Sequence, residues 1–302
     1  MKIAILSRNA QLYSTRRLAQ AARLSGHQVQ VVDTLSIPVN VGPTPGLAKD
    51  TILPDADAII PRIGTSITFY GLAVVRQFES RQVITTASSE AIACSRDKLY
   101  SLQVMNRADL PTPTTTVVAD QNDIGQAIDA AGGLPVIVKL IRGTQGRGVF
   151  LVSEYHTVES IWNTMHRLKE QMLIQEFISE SRGSDLRAII IGRRCVASMQ
   201  RNAAAGEFRS NLHRGGTARP ITLDRYTRGL AVRAAQAHGL SVAGVDIIDS
   251  ARGPLLLEVN SSPGLEGIER ATGSDVAREV VRFIEGEFKK RSRKRRQRHR
   301  RS

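Results

Sequence analysis

Short runs of aliphatic and β-branched residues alternate with stretches of helical period through the first ninety-odd positions of the chain. Lys2–Leu6 is the first such run; a helical pattern over Thr15–Ser25 follows and stops at Gly26. The runs Gln28–Val32 and Ala58–Ile60 flank a Pro- and Gly-rich loop around Ile37–Pro54, and a helical stretch, Ile67–Glu79, leads to Val83–Thr85. Strands that alternate with helices in this way predict a small parallel or mostly parallel α/β sheet. After the first run the residues are Ser7-Arg8-Asn9-Ala10. They lack the G-x-G-x-x-G turn that admits a pyrophosphate, which argues against a nicotinamide or flavin enzyme of the Rossmann type.

The pattern changes after Ala87. Ser95 reads as a helix N-cap with Asp97 in the first turn, where a carboxylate complements the helix dipole. That helix runs to about Arg107, and Leu110-Pro111-Thr112-Pro113 stops it before an extended segment, Thr114–Val118. The main boundary is therefore expected between Ala87 and Ser95. Beyond it come a helix around Asp123–Ala131, a strand over Pro135–Leu140, a glycine-rich turn, a strand over Val149–Val152, a helix over Val158–Leu168 and a strand over Met172–Gln175. Two apolar runs between Ser184 and Gln200 flank Gly192-Arg193-Arg194, a hairpin signal. A helix over Leu223–His238 precedes a second hairpin, Ala243–Ile248 with Leu255–Val259. In the last helix Val276, Val280, Phe283, Ile284 and Phe288 recur at helical spacing.

Length and charge add two constraints. At 302 residues the chain is about twice a typical domain, so a divided molecule is expected. Its net charge of +14 is unevenly placed: the segment from Lys289 to Ser302 carries ten Lys or Arg and no acid, leaving a surplus of four in the first 288 residues. So dense a run of like charge is expected to be a disordered basic tail. The body, 41% hydrophobic and 23% charged, belongs to the globular class. Cys94 and Cys195 are too few for a disulfide framework. The apolar stretch after Lys2 is shorter than the roughly 7–15 residues of a secretory signal, and no run approaches the roughly 18 apolar residues of a membrane span. A cytoplasmic protein without membrane contact is the expectation.

Four segments carry chemistry. In Lys139-Leu-Ile-Arg-Gly143-Thr-Gln-Gly-Arg-Gly148 a strand-ending lysine meets a glycine loop whose backbone amides can approach phosphate closely. The loop joins two strands, so it is not the Walker strand-to-helix pattern; by itself it also fits a glycine-rich hairpin with a solvated lysine. Glu258 and Asn260 share a strand face, and Asp246 on the neighbouring strand can join them. Two carboxylates and an amide oxygen suit Mg²⁺ or Mn²⁺, while a polar outer face is the plainer alternative. Gln175-Glu176-Phe177-Ile178 leaves a sheet as a loop and could offer backbone groups to an adenine edge, with Asp185 nine residues on. Finally, Arg201 to Gly216 is a polar loop with several arginines, too long for a plain connection.

Taken in this order, the four segments resemble the ATP-grasp superfamily, and within it the RimK family of ribosomal-protein glutamate ligases. The likeness runs from Met1 to about Glu285. It includes Lys2-Ile-Ala-Ile-Leu-Ser-Arg8, Pro61-Arg-Ile-Gly-Thr65 with Ile67-Thr-Phe-Tyr-Gly71, Ser95-Arg-Asp-Lys98, Phe208-Arg-Ser-Asn-Leu-His-Arg-Gly-Gly216, Val245-Asp-Ile247, and Glu258-Val-Asn260 with Ser262-Pro-Gly-Leu-Glu-Gly267. The resemblance implies an α/β N-terminal domain over 1–94 and an α+β ATP-grasp fold of two lobes, 95–182 and 183–287, that clamp ATP. The basic segment 288–302 has no counterpart in it.

By resemblance, Lys98 and Lys139 neutralise phosphate and Gly143–Gly148 forms a lid. Glu176 and Phe177 bind adenine, and Asp185 the ribose. Arg209, Ser210 and Asn211 lie along the triphosphate and the reacting carboxylate, with Arg209 the preferred catalytic arginine and Arg187 and Arg201 as alternatives. Asp246, Glu258 and Asn260 hold Mg²⁺ or Mn²⁺, two ions by resemblance. The implied reaction is ATP-dependent ligation of L-glutamate to the C-terminus of a small-subunit ribosomal protein, with oligo-glutamate synthesis also implied and a homotetramer as the assembly. A carrier protein or small metabolite as acceptor is the alternative within this chemistry. A reading of another class, a nucleic-acid-binding protein with an inactive ATP-grasp fold, is suggested by the tail, which could contact ribosomal RNA or polyglutamate. With aromatic residues at 4% and no aromatic cluster to stack bases, that reading is the weaker.

Overall fold

The computed structural model describes residues 1–42, 56–141, 148–204, 206–210 and 215–299. At its N-terminal end β1 (Lys2–Leu6), α1 (Tyr13–Leu24), β2 (Gln28–Val32), β3 (Ala58–Pro61), α2 (Thr68–Ser80) and β4 (Ile84–Thr85) follow the alternation expected. The strands pair in parallel in the order β2-β1-β3-β4. Ile3 to Leu6 of the central strand are fully buried, as in a parallel sheet covered on both faces. Because β2 and β3 lie on opposite sides of β1, the direction of winding reverses between β1 and β3.

The helix expected from Ser95 is two helices, α3 (Ser89–Arg96) and α4 (Lys98–Arg107). Ser88 caps the first by accepting from the Ala91 N–H at 3.1 Å. Asp97 has extended backbone that breaks the run, and its carboxylate accepts from the Tyr100 N–H at 2.9 Å to start the second. Asp97 is therefore the cap, while the Ser95 hydroxyl donates back to the Ile92 carbonyl inside α3.

The next elements, β5 (Thr115–Val118), α5 (Ile124–Ala130), β6 (Val136–Leu140), β7 (Val149–Val152), α6 (Tyr155–Arg167) and β8 (Met172–Glu176), form the first lobe. Its antiparallel sheet has the order β5-β8-β6-β7 and shares a self-contained core with the two helices, including Val118, Ile124, Val138, Trp162 and Ile174. The second lobe comprises β9 (Ser184–Ile191), β10 (Arg194–Asn202), β11 (Thr217–Pro220), α7 (Arg225–Ala237), β12 (Val242–Ser250), β13 (Gly253–Asn260), α8 (Glu266–Thr272) and α9 (Val276–His299). Its antiparallel sheet runs β11-β10-β9-β12-β13. Gly192 turns β9 into β10 with a positive φ of 62°, a conformation that favours glycine.

Each face of this five-stranded sheet is covered by a core that continues into the N-terminal domain. Ala188, Val245 and Leu230 share one with Leu6 and Phe78; Ile189, Val280 and Ile284 share the other with Ile3 and Ile5. Met105 of α4 is fully buried in the first of these. Thus α4, which the sequence division from residue 95 assigns to the first lobe, packs with the N-terminal domain and second lobe instead.

The C-terminal segment also departs from expectation. Rather than becoming disordered at 288, α9 continues to His299. Its inner stripe of Val276, Val280, Val281 and Ile284 is buried and supplies the nucleus. Each further residue then adds one hydrogen bond to an existing helix. Lys and Arg are good helix formers, and positive charge suits the C-terminal end of the dipole. Lys290 pairs with Glu287, and Arg291 donates to the Gln82 carbonyl, tying the helix to the turn after α2.

Candidate active site between the lobes

Strand alternation puts Asp185 and Arg187 on one face of β9. Register sets Arg201 of β10 opposite Asp185, Asp246 of β12 opposite Arg187, and Glu258 of β13 opposite Asp246. The outcome is a row of charges across four strands. Arg187 donates from Nε and Nη2 to the two Asp246 oxygens at 2.7 and 2.6 Å. Arg201 donates to both oxygens of Asp185 and, from Nη2, to Asp246 Oδ2 at 3.0 Å. Burial pushes the Asp246 carboxyl up, but Arg187 and Arg201 outweigh it and hold the group well below the ordinary carboxylate range. An unpaired carboxylate at this depth would be costly. Both Asp185 oxygens face Arg201, so the side chain expected at a ribose also fixes an arginine.

Asp246, Glu258 and Asn260 offer two carboxylates and an amide, hard oxygen donors on adjoining strands of the kind Mg²⁺ and Mn²⁺ take. Asn260 is oriented by the Ser262 N–H, which donates to its Oδ1 at 2.8 Å. Among the described residues no group of three His, Cys, Asp or Glu side chains could hold a metal. With two carboxylates and an amide as its donors, the set suits an ion that takes the rest of its shell from substrate and water.

Two lysines face this row from the other side. Lys139 stands near the end of β6, and Lys98, in the first turn of α4, donates to the carbonyls of Leu140 and Ile141 at 2.6 and 3.0 Å. Burial lowers Lys139 to about 8, with Glu258 opposing the shift and Lys98 adding to it. Burial also lowers Lys98, again opposed by Glu258. The charge of Glu258 thus reaches both lysines across the gap between lobes. At the base of the glycine loop, the Leu140 N–H donates to the Gly148 carbonyl at 2.8 Å. Gly148 has a φ of 72°, and a Cβ there would come within 2.7 Å of the Leu140 side chain, so the position requires glycine. Residues 143–147 of the expected lid, and Asn211, lie outside the described residues.

Farther along, Glu176 ends β8 and Phe177 is half-buried. The Glu176 carboxylate accepts from the Thr114 N–H at 3.1 Å and pairs with Arg252 in the β12–β13 turn, Nη1 to Oε1 at 2.6 Å. The hydrogen bond from Arg252 holds Glu176 below its ordinary value. Any purine contact here therefore falls to backbone groups rather than to that carboxylate. In the loop after β10, Arg209 donates from Nε and Nη2 to Glu207 at 2.9 and 2.7 Å and from Nη1 to the Val149 carbonyl at 3.2 Å. Glu207 is lowered to about 2, chiefly by the Arg209 hydrogen bond. Arg209 thus spans from the second lobe to the strand that follows the glycine loop, and Ser210 beside it is buried.

Sequence reasoning missed Glu207 and Arg252. The first had a local signal, an acid two residues before the arginine. Arg252 had none, because its partner lies in another lobe.

Comparisons with known proteins agree with this architecture. A family model described as a RimK-like ATP-grasp domain matches residues 95–284, and one described as a RimK PreATP-grasp domain matches residues 1–92. The chain is 50% identical over 287 residues to a probable alpha-L-glutamate ligase of Hydrogenovibrio crunogenus, covering 94% of this chain and 95% of the relative. It is 52% identical, with the same coverage, to a probable alpha-L-glutamate ligase of Nitrosococcus oceani. Among solved structures, a RimK domain ATP-grasp protein from Sphaerobacter thermophilus superposes with a TM-score of 0.73 at 22% identity, covering 94% of this chain and 99% of the other. The ATP-grasp ligase PsnB, complexed with minimal precursor, Mg and ADP, gives 0.73 at 18% identity, covering 95% and 98%. At such identities these two structures speak for the fold.

Proposed function

We propose that this chain, which belongs to the RimK-like ATP-grasp family and is an ATP-dependent ligase, joins L-glutamate through its amine to the C-terminal carboxylate of a small-subunit ribosomal protein. The observation that carries the reading is the convergence of Lys98 and Lys139 on the Asp246–Glu258 row. Cations from one side and acidic oxygen donors from the other are what a metal-bound triphosphate needs. Glutamate as the amine substrate is supported by relatives named as glutamate ligases over nearly the whole chain.

In this reading Lys98 and Lys139 neutralise phosphate oxygens, and Asp246, Glu258 and Asn260 hold the divalent ions, which would screen the charge of the triphosphate. Arg187 and Arg201 fix the Asp246 carboxylate, and Asp185 fixes Arg201. The backbone around Glu176 and Phe177 receives the purine. Arg209 and Ser210 lie along the phosphates, a role that the resemblance extends to Asn211. An oxygen of the acceptor carboxylate attacks the γ-phosphorus as the bond to the β-phosphate oxygen breaks and ADP leaves. The glutamate amine then adds to the carbonyl carbon of the acyl phosphate. Collapse of the tetrahedral adduct expels phosphate, and the amine proton passes to solvent. Arg209 meets the developing oxyanion. Such transfers depend chiefly on positioning and charge. A homotetramer belongs to the same proposal, and light scattering of the full chain tests it.

Incubation with Mg-ATP, glutamate and the purified ribosomal protein, followed by intact mass, tests the acceptor. Addition of glutamyl residues is expected. ADP release with glutamate on a carrier protein or small acceptor, but never on the ribosomal protein, would overturn it.

A further inference from the structure

Beside the metal-donor end of β13 lies a cationic corner that the nucleotide chemistry does not use. Arg62 immediately follows β3, its N–H donating to the Leu6 carbonyl at the end of β1 at 2.8 Å. It therefore sits outside the carboxyl ends of β1 and β3, where the winding of the parallel sheet reverses. Crevices at such a reversal are the general ligand position of open α/β sheets. Arg96, the last residue of α3, reaches the same corner, donating from Nη1 to Thr65 Oγ1 at 3.1 Å and from Nη2 to the Ile63 carbonyl. The turn after Asn260 touches it too, with Ser262 Oγ 3.5 Å from the Pro61 carbonyl.

Neither guanidinium forms an ion pair among the described residues, although both are at least part-buried. Arg96 Nε and Ser261 Oγ, both at this corner, are buried side-chain atoms without a hydrogen-bond partner. Burial lowers both arginines, and the like charge of Arg96 adds to the effect on Arg62, which falls to about 10 and remains cationic at neutral pH. Glu258 is the carboxylate whose charge reaches Arg96, and it belongs to the metal-donor set. Two like charges partly withdrawn from water, with unsatisfied donors, are unfavourable until an anion arrives.

We propose that Arg62 and Arg96 form a carboxylate-binding site for a glutamyl substrate, gripping a carboxylate that is not phosphorylated in the reaction. Arginine suits this task because its planar fork matches a carboxylate with two parallel hydrogen bonds. The site rests on the glutamate-ligase reading. Two sources of the same chemistry exist, the free carboxylates of incoming glutamate and the side-chain carboxylate of an acceptor that ends in glutamate.

The test uses the full-length enzyme with Mg-ATP, L-glutamate and a peptide ending in glutamate. Arg62→Gln should raise KM for one of the two carboxylate substrates about 10- to 100-fold, the loss expected for a hydrogen bond to a charged group, and leave KM for ATP unchanged. Which KM moves identifies the source. Arg62→Lys should recover part of the loss. Because the substitution removes a repelling charge, Arg62→Gln should also raise the melting temperature of the ligand-free enzyme, a readout that a purely structural arginine would move the other way. Unchanged KM values for both carboxylate substrates, or a parallel rise in KM for ATP, would overturn the site. Should the wild-type enzyme make no glutamyl product, the parent reading fails on its own. Calorimetric titration of L-glutamate, and separately of the glutamate-terminated peptide, into enzyme loaded with a non-hydrolysable ATP analogue then decides: binding of one of them by wild type that Arg62→Gln abolishes supports the site, and no binding of either, or binding that Arg62→Gln leaves intact, overturns it.

Discussion

Lys139 carries the sharpest conflict between stability and function at the scale of single residues. Its ammonium is held by burial at about 8, against an ordinary lysine near 10.5. Between those two values the unfolded chain keeps a proton that the folded protein has released, so the stability of the ATP-free protein should rise with pH across that window. Replacing Lys139 with Met should flatten this slope and stabilise the ATP-free protein at neutral pH by ~1–3 kcal/mol, while ADP release falls to background. Thermal unfolding from pH 7 to 10 beside an ADP-release assay checks both, and a destabilised Lys139→Met would show that the ammonium is well solvated. A triphosphate should restore the charge, so ATP binding above about pH 8 should take up a proton, visible as buffer-dependent heats of binding. Glu258→Ala should abolish ADP release through loss of a proposed metal donor, with little change in fold because the side chain is exposed. The common face of Asp246, Glu258 and Asn260 was legible in the sequence because strand alternation sorts them, and the position of Lys139 because it stands near a strand end before a glycine-rich turn. Arg187 and Arg201 as partners of Asp246 were not, since their meeting depends on the register of the β9–β10 hairpin against β12, which a long connection separates from it.

Among the elements, the β12–β13 hairpin does more than present the proposed metal donors. Its turn latches onto the link between lobes, through Arg252 to Glu176 and through the Ala251 N–H, which donates to Glu180 at 3.0 Å. The Arg252 side chain is 53% exposed, so its pair should contribute under about 1 kcal/mol to stability. Its larger effect should be on geometry, because Glu176 ends the strand that leads into the proposed purine linker. Arg252→Ala is expected to leave the melting temperature nearly unchanged and to raise KM for ATP several-fold, with kcat at saturating ATP largely kept; equal KM values would show the latch to be idle. Most elements were readable from period and punctuation. Those that were not had contextual causes: Asp97 interrupts what reads as one helix, β11 is recruited only by pairing with β10, and α9 outruns its apolar stripe on helix propagation.

For the whole molecule, the distribution of cores and of charge assigns different parts to different work. The first lobe has a core of its own, whereas the second lobe and N-terminal domain share theirs, so the proposed nucleotide site lies between a separable body and a larger fused one. Into that fused body α9 is anchored by Val276, Val280, Val281 and Ile284, all upstream of the basic segment. Truncation after Phe288 should therefore leave thermal stability and ligation of a peptide acceptor unchanged. What should change is attraction to polyanions, because ten of the bases leave while the remaining 288 residues keep a surplus of only four. We expect the full chain to co-sediment with ribosomes at low salt and the truncated chain to do so weakly. The slope of log affinity for a single-stranded RNA against log salt should shrink by roughly 0.7 for every phosphate the helix no longer neutralises. Equal co-sedimentation of the two forms at low salt would remove the helix from any role in reaching RNA. Loss of ligation in the truncated form would instead place the basic helix within the catalytic assembly.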